Sequence, residues 1–181
     1  VLASESKKSI QQVLDTRELI EREGLDVEVV SVGGTHNYEI ASRMSGVTEI
    51  PAGSYALMDS KYAASRSGLQ PAAKIMSTVT SRPETGTAIL DAGRKATGED
   101  LGFPTLEQEQ LPDVTLVYLS AEHARLSWES SAVAEQLNLG DKVWFTPWDI
   151  GSCVNMYDYI MAIRKGKLET VLELTARGLY R

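Results

Sequence analysis

Two glycines and a threonine, Gly33-Gly34-Thr35, directly follow the apolar run Val27–Val32. Backbone N–H groups on such a turn form an anion site, and phosphate is the usual anion. The glycines let the backbone approach a ligand closely, and the threonine hydroxyl adds a donor. A strand-to-helix turn that needs glycine for its dihedral angles gives the same pattern. From spacing alone the structural interpretation is favoured, because isolated glycine motifs often arise without a ligand.

A second group of reactive side chains lies in segment 145–158, after a predicted strand. Asp149 could bind a hard divalent cation through oxygen, whereas the Cys153 thiol would prefer zinc. Neither has a histidine nearby, and two ligands are too few for a tight metal site. For Cys153 we therefore favour the role of a small buried hydrophobe.

A third candidate is the pair Tyr55 and Asp59, four residues apart on a predicted strand. That spacing places both side chains on one face, which core packing of Tyr55 would also require. The two are candidate catalytic residues whose roles the sequence does not assign. The chain carries no nucleophile elbow, P-loop, HExxH or CxxC motif.

Composition limits the classes of protein to which these residues can belong. The 181 residues are 43% hydrophobic, enough for one domain or one domain plus a fragment of another. The net charge of −7 and a pI near 4.9 argue against nucleic-acid and anionic-membrane partners. The apolar runs are of strand length, so no transmembrane helix is predicted. Cys153 is the only cysteine, which excludes an internal disulfide and is compatible with the cytoplasm.

The elements that must position these residues change in character near Thr48. Before it, Ser4–Glu23 has helical periodicity, Val27–Val32 is strand-like and 37–44 predicts a short helix. After it, short strands are predicted at 74–81, 87–90, 114–120, 124–128 and 142–146, and a hairpin is predicted around Lys165-Gly166-Lys167. Strands at this spacing of about ten residues are typical of a sandwich or barrel-like β-domain. We predict an α+β, mostly β chain with domains at 1–48 and 49–181. One βα unit cannot make a parallel sheet or barrel alone, and Val1 is not a methionine, so a fragment of something larger is expected.

A series of short motifs runs in order through most of the chain. It comprises 31–35, 49–55 with Asp59, 79–83, 88–96, 122–123, 139–143, Pro147 and 154–155. The number, order and spacing of these motifs resemble the C-terminal half of the D-serine dehydratase and D-threonine aldolase family. Those alanine-racemase-like enzymes of fold type III have a (β/α)8 barrel followed by a β-domain, and they use pyridoxal phosphate.

The resemblance implies a role for each part of the chain. Residues 1–48 would be the last βα unit of a truncated barrel, and Gly33, Gly34 and Thr35 would lie at the cofactor's phosphate. The substrate would be a β-hydroxy D-amino acid undergoing dehydration or aldol cleavage. The enzyme would be a homodimer in which one subunit's β-domain helps close the other's site, with Tyr55 and Asp59 near that closure.

Two departures from the family pattern shape the expected activity. The Schiff-base lysine lies upstream of anything in this chain, so the chain alone is expected to be inactive. The family's metal pair, histidine and then cysteine or aspartate two residues on, is replaced by Asp149 and Gly151. Asp149 keeps one oxygen ligand and Gly151 supplies none. The alternatives are a non-catalytic dimerisation or ligand-binding β-domain, and a metal-independent racemase or decarboxylase.

Overall fold

The computed structural model describes residues 2–63, 68–98, 102–107, 110–130 and 132–179. They form two compact units. The first holds the described residues up to 56 together with 68–69, and the second holds 57–63 and the described residues from 70 onward. None of the helices in these ranges is long and apolar enough to cross a membrane.

The first unit is built on the long helix α1 (Leu2–Arg22). Ile10 and Leu14, four residues apart on one face, are buried in a cluster with Val30, Val32 and Ala41. The predicted helix is thereby confirmed, and the chain leaves it through the left-handed Gly24 at φ +84°. The unit also contains α2 (Tyr38–Ala41) and a 3₁₀ helix at Ser54–Ala56.

The strand predicted at Val27–Val32 is wrong in its extent. Only one isolated parallel bridge forms, between Ser31 and Glu49. The N–H of Val32 donates to the Glu49 carbonyl at 3.1 Å, and the Glu49 N–H donates to the Val30 carbonyl at 3.1 Å. A strand is defined by a ladder, and in the described part of the first unit this run has no longer strand beside it.

The same contacts cross the boundary predicted at Thr48. The Thr48 hydroxyl accepts the N–H of Val30 at 2.8 Å, and Glu49 pairs with 30–32. Residues after Thr48 are therefore held to the preceding segment, and the first unit continues to Ala56.

The second unit is built on a six-stranded antiparallel sheet in the order β3-β6-β1-β2-β5-β4. The outer strands β3 and β4 approach within 8 Å, so the sheet nearly closes into a barrel. Its interior is filled by fully buried side chains such as Val79, Leu90, Leu126, Val143 and Phe145. The strands are β1 (Ile75–Ser81), β2 (Thr87–Leu90), β3 (Thr105–Leu106), β4 (Thr115–Leu119), β5 (Ala124–Ser127) and β6 (Lys142–Thr146).

The mostly β, barrel-like second domain is thus confirmed, and every strand predicted between residues 74 and 146 is found. The two-residue β3 was not predicted, because so short a strand leaves no periodic signal. In the described residues of this unit, short helices lie outside the sheet. They are α3 (Ser60–Ala63), α4 (Arg94–Thr97) and α5 (Ile150–Val154), with a 3₁₀ helix at Ala134–Gln136.

A separate two-stranded sheet follows α5. It consists of β7 (Tyr159–Arg164) and β8 (Lys167–Glu173), paired antiparallel. The turn residues Lys165 and Gly166 have φ of +51° and +74°, the signs that a tight type I′ hairpin turn requires. The hairpin predicted around Lys165-Gly166-Lys167 is confirmed.

Candidate functional site

The glycine turn of the first unit is fixed by its own backbone conformation and by Asn37. Gly33 has φ +85°, and a Cβ there would lie 2.9 Å from Asn37 Oδ1 and 3.2 Å from the Ala41 Cβ. The Gly34 N–H donates to Asn37 Oδ1 at 3.0 Å, and the Asn37 N–H donates back to the Gly34 carbonyl at 3.2 Å. Glycine at position 33 is therefore required by both conformation and space.

Thr35 follows this turn as a buried polar residue with 4% of its surface exposed. Its Oγ1 accepts the N–H of Tyr55 at 3.1 Å, which leaves the hydroxyl proton free to be donated. Within the described residues, the backbone N–H groups of Gly33 and Thr35 meet no acceptor. Orphan N–H donors beside a buried hydroxyl are costly unless an anion or water accepts from them, and they match the donor set that a phosphate needs.

Asn37 is a residue of the candidate site that the sequence reasoning missed. It is only 6% exposed and its side-chain oxygen closes the turn onto Gly34. The signal that could have found it is the short polar side chain three residues after Gly34, since asparagine commonly bonds nearby backbone N–H groups in turns.

Tyr55 and Asp59 do not share a strand face, so the strand predicted for them is wrong. Tyr55 lies in the 3₁₀ helix Ser54–Ala56 with 54% of its surface exposed, whereas Asp59 is fully buried. Local hydrogen bonding replaces strand pairing here. The Tyr55 N–H bonds to Thr35, and the Leu57 carbonyl accepts the N–H of Ala72 at 2.7 Å.

Asp59 holds two segments of the second unit together through its carboxylate. Oδ1 accepts the N–H of Tyr62 at 3.0 Å and so caps the start of α3. Oδ2 accepts the N–H of Ile150 at 3.3 Å, at the start of α5. A buried carboxylate whose two oxygens each accept a backbone N–H fixes the starts of both helices in place.

Asp149 sits at the N-cap of α5, where its Oδ1 accepts the Ser152 N–H at 2.9 Å. Gly151, two residues on, offers no side-chain donor, and the described residues contain no group of three His, Cys, Asp or Glu side chains able to hold a metal. One carboxylate already used as a helix cap is too small a donor set for a metal ion. The residues at this place do not fit the family's metal site.

Cys153 is buried, as expected, and its thiol is unreactive near neutral pH. Burial, and then the charge of Asp149, raise the pKa of its thiol to about 12. The Tyr157 hydroxyl donates to the Ala96 carbonyl at 2.7 Å, and burial, with Cys153 beside it, raises the Tyr157 pKa to about 12. Neither group can supply a nucleophile or base near neutral pH.

The motif Asp91-Ala92-Gly93 has a structural role. Asp91 Oδ1 accepts the Thr78 N–H at 2.6 Å and the Ser77 hydroxyl at 3.0 Å. Burial acts to raise the Asp91 pKa, but these hydrogen bonds outweigh it and hold the pKa below its ordinary value. A Cβ on Gly93 would lie 2.4 Å from the Ser120 carbonyl oxygen, so only glycine fits against that backbone.

Comparison with known proteins places this architecture among characterised relatives. The family model described as "Putative serine dehydratase domain" matches residues 72–163. The chain is 30% identical over 168 residues to a D-threonine aldolase of Arthrobacter sp, covering 91% of the chain and 43% of that protein. It is 31% identical over 179 residues to a 3-hydroxy-D-aspartate aldolase of Paracoccus denitrificans (strain Pd 1222), covering 94% and 45%.

The crystal structure of D-threonine aldolase from Filomicrobium marinum superposes on 99% of this chain and 50% of that one. The TM-score is 0.88 at 26% sequence identity. The chain thus spans about half the length of the relatives it matches. The resemblance drawn from the short motifs is confirmed, including its restriction to half of the family's length.

Proposed function

The chain belongs to the serine dehydratase domain family, as its match over residues 72–163 shows, and from this premise we propose a function. It is the C-terminal part of a pyridoxal-phosphate-dependent enzyme that dehydrates or cleaves a β-hydroxy D-amino acid. D-threonine and 3-hydroxy-D-aspartate, named for two of the relatives, both carry a hydroxyl at the β-carbon, which supports this substrate class.

The observation that carries the proposal is the turn Gly33-Gly34-Thr35 with its unpaired donors. The N–H groups of Gly33 and Thr35 and the Thr35 hydroxyl would hold the cofactor's phosphate. Asn37 keeps the turn in shape by accepting from Gly34, and glycine at 33 permits the left-handed backbone and the close packing against Asn37 that the turn requires. When bound, pyridoxal phosphate supplies the electron sink for the bond that is broken.

The other candidate residues divide into two roles. The half-exposed Tyr55 is proposed to lie beside the ligand, because its backbone N–H is bonded to Thr35 of the phosphate turn. Asp59 is proposed as a positioning residue that holds α3 and α5, since both of its oxygens are already occupied. By the resemblance, the lysine that joins the cofactor is supplied from outside this chain, so the 181 residues alone are expected to bind phosphate without turning over substrate.

We propose further that the enzyme is a homodimer and works in the cytoplasm. The dimer is what the family resemblance implies, and the single cysteine, buried and unpaired, is compatible with a reducing compartment.

Phosphate binding is testable on this chain by following the amide resonances of Gly33 and Thr35 during titration with inorganic phosphate and with pyridoxal phosphate. Thr35→Val removes the hydroxyl at nearly constant shape and is expected to weaken binding about tenfold, the worth of one hydrogen bond. Thr115→Val, at an exposed strand position, is the matched control. Amides at 33–35 that do not respond to either anion contradict the phosphate assignment.

The activity is tested on the product of the coding sequence that includes whatever precedes Val1. Turnover of D-threonine, D-serine or 3-hydroxy-D-aspartate, with bound-cofactor absorbance, is the expected result. A longer product with no cofactor absorbance overturns the proposal.

A second candidate is a metal-independent racemase or decarboxylase, which the incomplete donor set at Asp149 and Gly151 favours. It predicts turnover of D-amino acids that have no β-hydroxyl. Insensitivity of that turnover to chelators, with D-threonine left intact, would select it over the aldolase or dehydratase.

A further inference from the structure

Gly151 is a glycine that neither backbone conformation nor packing requires. It lies in the first turn of α5 and its φ is not positive, so an L-residue fits the same conformation. Outside its own helix and its chain neighbours, a Cβ there would come within 4 Å of one described atom, Asp149 Oδ1, at an ordinary 3.4 Å. Alanine would also favour the helix more than glycine does. The glycine therefore keeps the space beside Asp149 open.

Gly151 lines a cavity of about 430 Å³ that lies wholly in the second unit. This volume is within the range of small-molecule binding sites, about 300–1,000 Å³. Much of the lining comes from the apolar side chains Val154, Leu174, Ala176 and Leu179. Because these side chains offer no hydrogen bonds, the cavity suits an apolar group of a ligand.

Asp149 has one unused carboxylate oxygen beside this opening. Its Oδ1 caps α5 by accepting the Ser152 N–H at 2.9 Å, whereas its Oδ2 accepts from none of the described residues. An ionised carboxylate accepts hydrogen bonds and donates none, so a ligand group that meets it must be a donor. A hydroxyl next to an apolar substituent matches this oxygen and the cavity together.

The charged side chains of the cavity wall disfavour a second carboxylate. Glu173 lines the cavity and has no ion-pair partner among the described residues. Arg177 also lines it, but its Nη1 is paired with Asp158 Oδ1 at 2.8 Å, which offsets its positive charge. The charge that is left unbalanced is therefore negative, and like charges brought together in a binding site reject a ligand.

We propose that Asp149 and this cavity bind the β-carbon end of the substrate. Asp149 Oδ2 accepts the hydrogen bond of the β-hydroxyl, and the cavity takes the other substituent of the β-carbon. That substituent is apolar and uncharged, so the site favours D-threonine and larger apolar relatives over 3-hydroxy-D-aspartate. This inference rests on the proposed function and narrows its substrate class.

The hydroxyl contact is tested by Asp149→Asn in the product of the coding sequence that includes whatever precedes Val1. Asparagine caps a helix as well as aspartate does, so a purely structural role predicts no change. Loss of the charged acceptor should lower kcat/KM for D-threonine by about tenfold or more. Asp141→Asn is the matched control, because Asp141 Oδ2 also accepts a backbone N–H, that of Asn138 at 2.7 Å. Equal kcat/KM values for the two variants overturn the contact.

The cavity is tested by Gly151→Leu, which fills the space that the glycine leaves open. In the same longer product, kcat/KM for D-3-phenylserine should fall by about tenfold or more, because leucine occupies the place of the phenyl group. The loss for D-threonine, whose methyl group needs little room, should be much smaller, and this substrate is the control within one variant. Urea unfolding of the 181-residue chain verifies folding, since leucine favours a helix. Equal losses for both substrates, or no loss for either, overturn the assignment of the cavity.

The charge preference is tested by comparing D-threonine with 3-hydroxy-D-aspartate. The unaltered longer product should have the higher kcat/KM for D-threonine, and Glu173→Gln should narrow the ratio several-fold because it removes the repulsion. Glu129→Gln, at an exposed carboxylate of the same unit, should leave the ratio unchanged. A ratio that favours 3-hydroxy-D-aspartate, or one that Glu173→Gln does not move, overturns this inference while the proposed function stands. A product that turns over no β-hydroxy D-amino acid refutes the proposed function itself.

Discussion

Replacing Asp59 by alanine is expected to lower the free energy of unfolding of the second unit by about 3 kcal/mol. Asp59 is fully buried and its two oxygens accept the N–H groups of Tyr62 and Ile150 at 3.0 and 3.3 Å. The substitution removes both acceptors in one step and leaves the buried N–H of Ile150 without its acceptor.

The magnitude follows from what each lost contact does. Loss of the cap on α3 costs about 1 kcal/mol, the typical value for removing an aspartate N-cap. The N–H of Ile150 is buried and keeps no acceptor, which costs about 1–3 kcal/mol. Asp59→Asn keeps one acceptor oxygen and a good capping residue, so we expect it to cost only about 1 kcal/mol.

Urea unfolding followed by tryptophan fluorescence measures this directly. All three tryptophans, Trp128, Trp144 and Trp148, lie in the second unit, so the signal reports on the unit that Asp59 stabilises. Glu129→Ala and Glu129→Gln are matched controls, because Glu129 is an exposed carboxylate of the same unit. They should change stability by less than about 0.5 kcal/mol.

The order of the variants is the critical outcome. Alanine should be worse than asparagine, and both should be worse than the Glu129 controls. If Asp59→Ala unfolds within about 0.5 kcal/mol of its control, the two hydrogen bonds do not stabilise the unit and the positioning role is refuted.

Three further predictions concern groups packed in the second unit. Gly93→Ala should lower the free energy of unfolding by more than about 3 kcal/mol or prevent folding, because the added Cβ would lie 2.4 Å from the Ser120 carbonyl oxygen. Thermal unfolding measures this loss, and Gly53→Ala, where no atom lies within 4 Å of the added Cβ, is the control. Burial raises the pKa of Tyr157 to about 12, so its protonated form stabilises the fold below pH 10, and this stabilisation is lost as pH rises toward 12. In urea titrations Tyr157→Phe should show a smaller loss of stability at alkaline pH. Near neutrality it should lower the free energy of unfolding by about 1 kcal/mol, because the hydrogen bond to the Ala96 carbonyl is lost. The Cys153 thiol should react with a disulfide reagent far more slowly in the folded chain than in urea, and equal rates would show that it is not buried.

The barrel-like unit could be predicted because its strands carry their own signals. Alternation in 142–146 and the Lys165-Gly166 turn are local patterns, and both elements formed where expected. The strand at Val27–Val32 failed for the opposite reason. Its residues favour a strand, but a ladder needs neighbours, and in the described residues only Glu49 is there to pair.

The candidate site was predicted in part. Gly33, Gly34 and Thr35 were singled out from residue type and order, and the structure adds a positive φ, two unpaired N–H groups and a hydroxyl already bonded to Tyr55. Asn37 was missed because its side chain bonds to the Gly34 backbone within the turn, and residue type alone does not show that contact. Asp149 occupies the position of a family metal ligand, but its carboxylate caps the helix that begins at Ile150 by accepting the Ser152 N–H.

The sequence by itself determined the family, the mostly β architecture and the turn at 33–35, because these depend on residue type, order and short-range geometry. Only the tertiary structure decided what the buried polar groups do. Asp59 accepts hydrogen bonds at the starts of both α3 and α5, since Ile150, 91 positions away, is brought against its second oxygen. A contact between distant residues sets this outcome, and no local pattern encodes it.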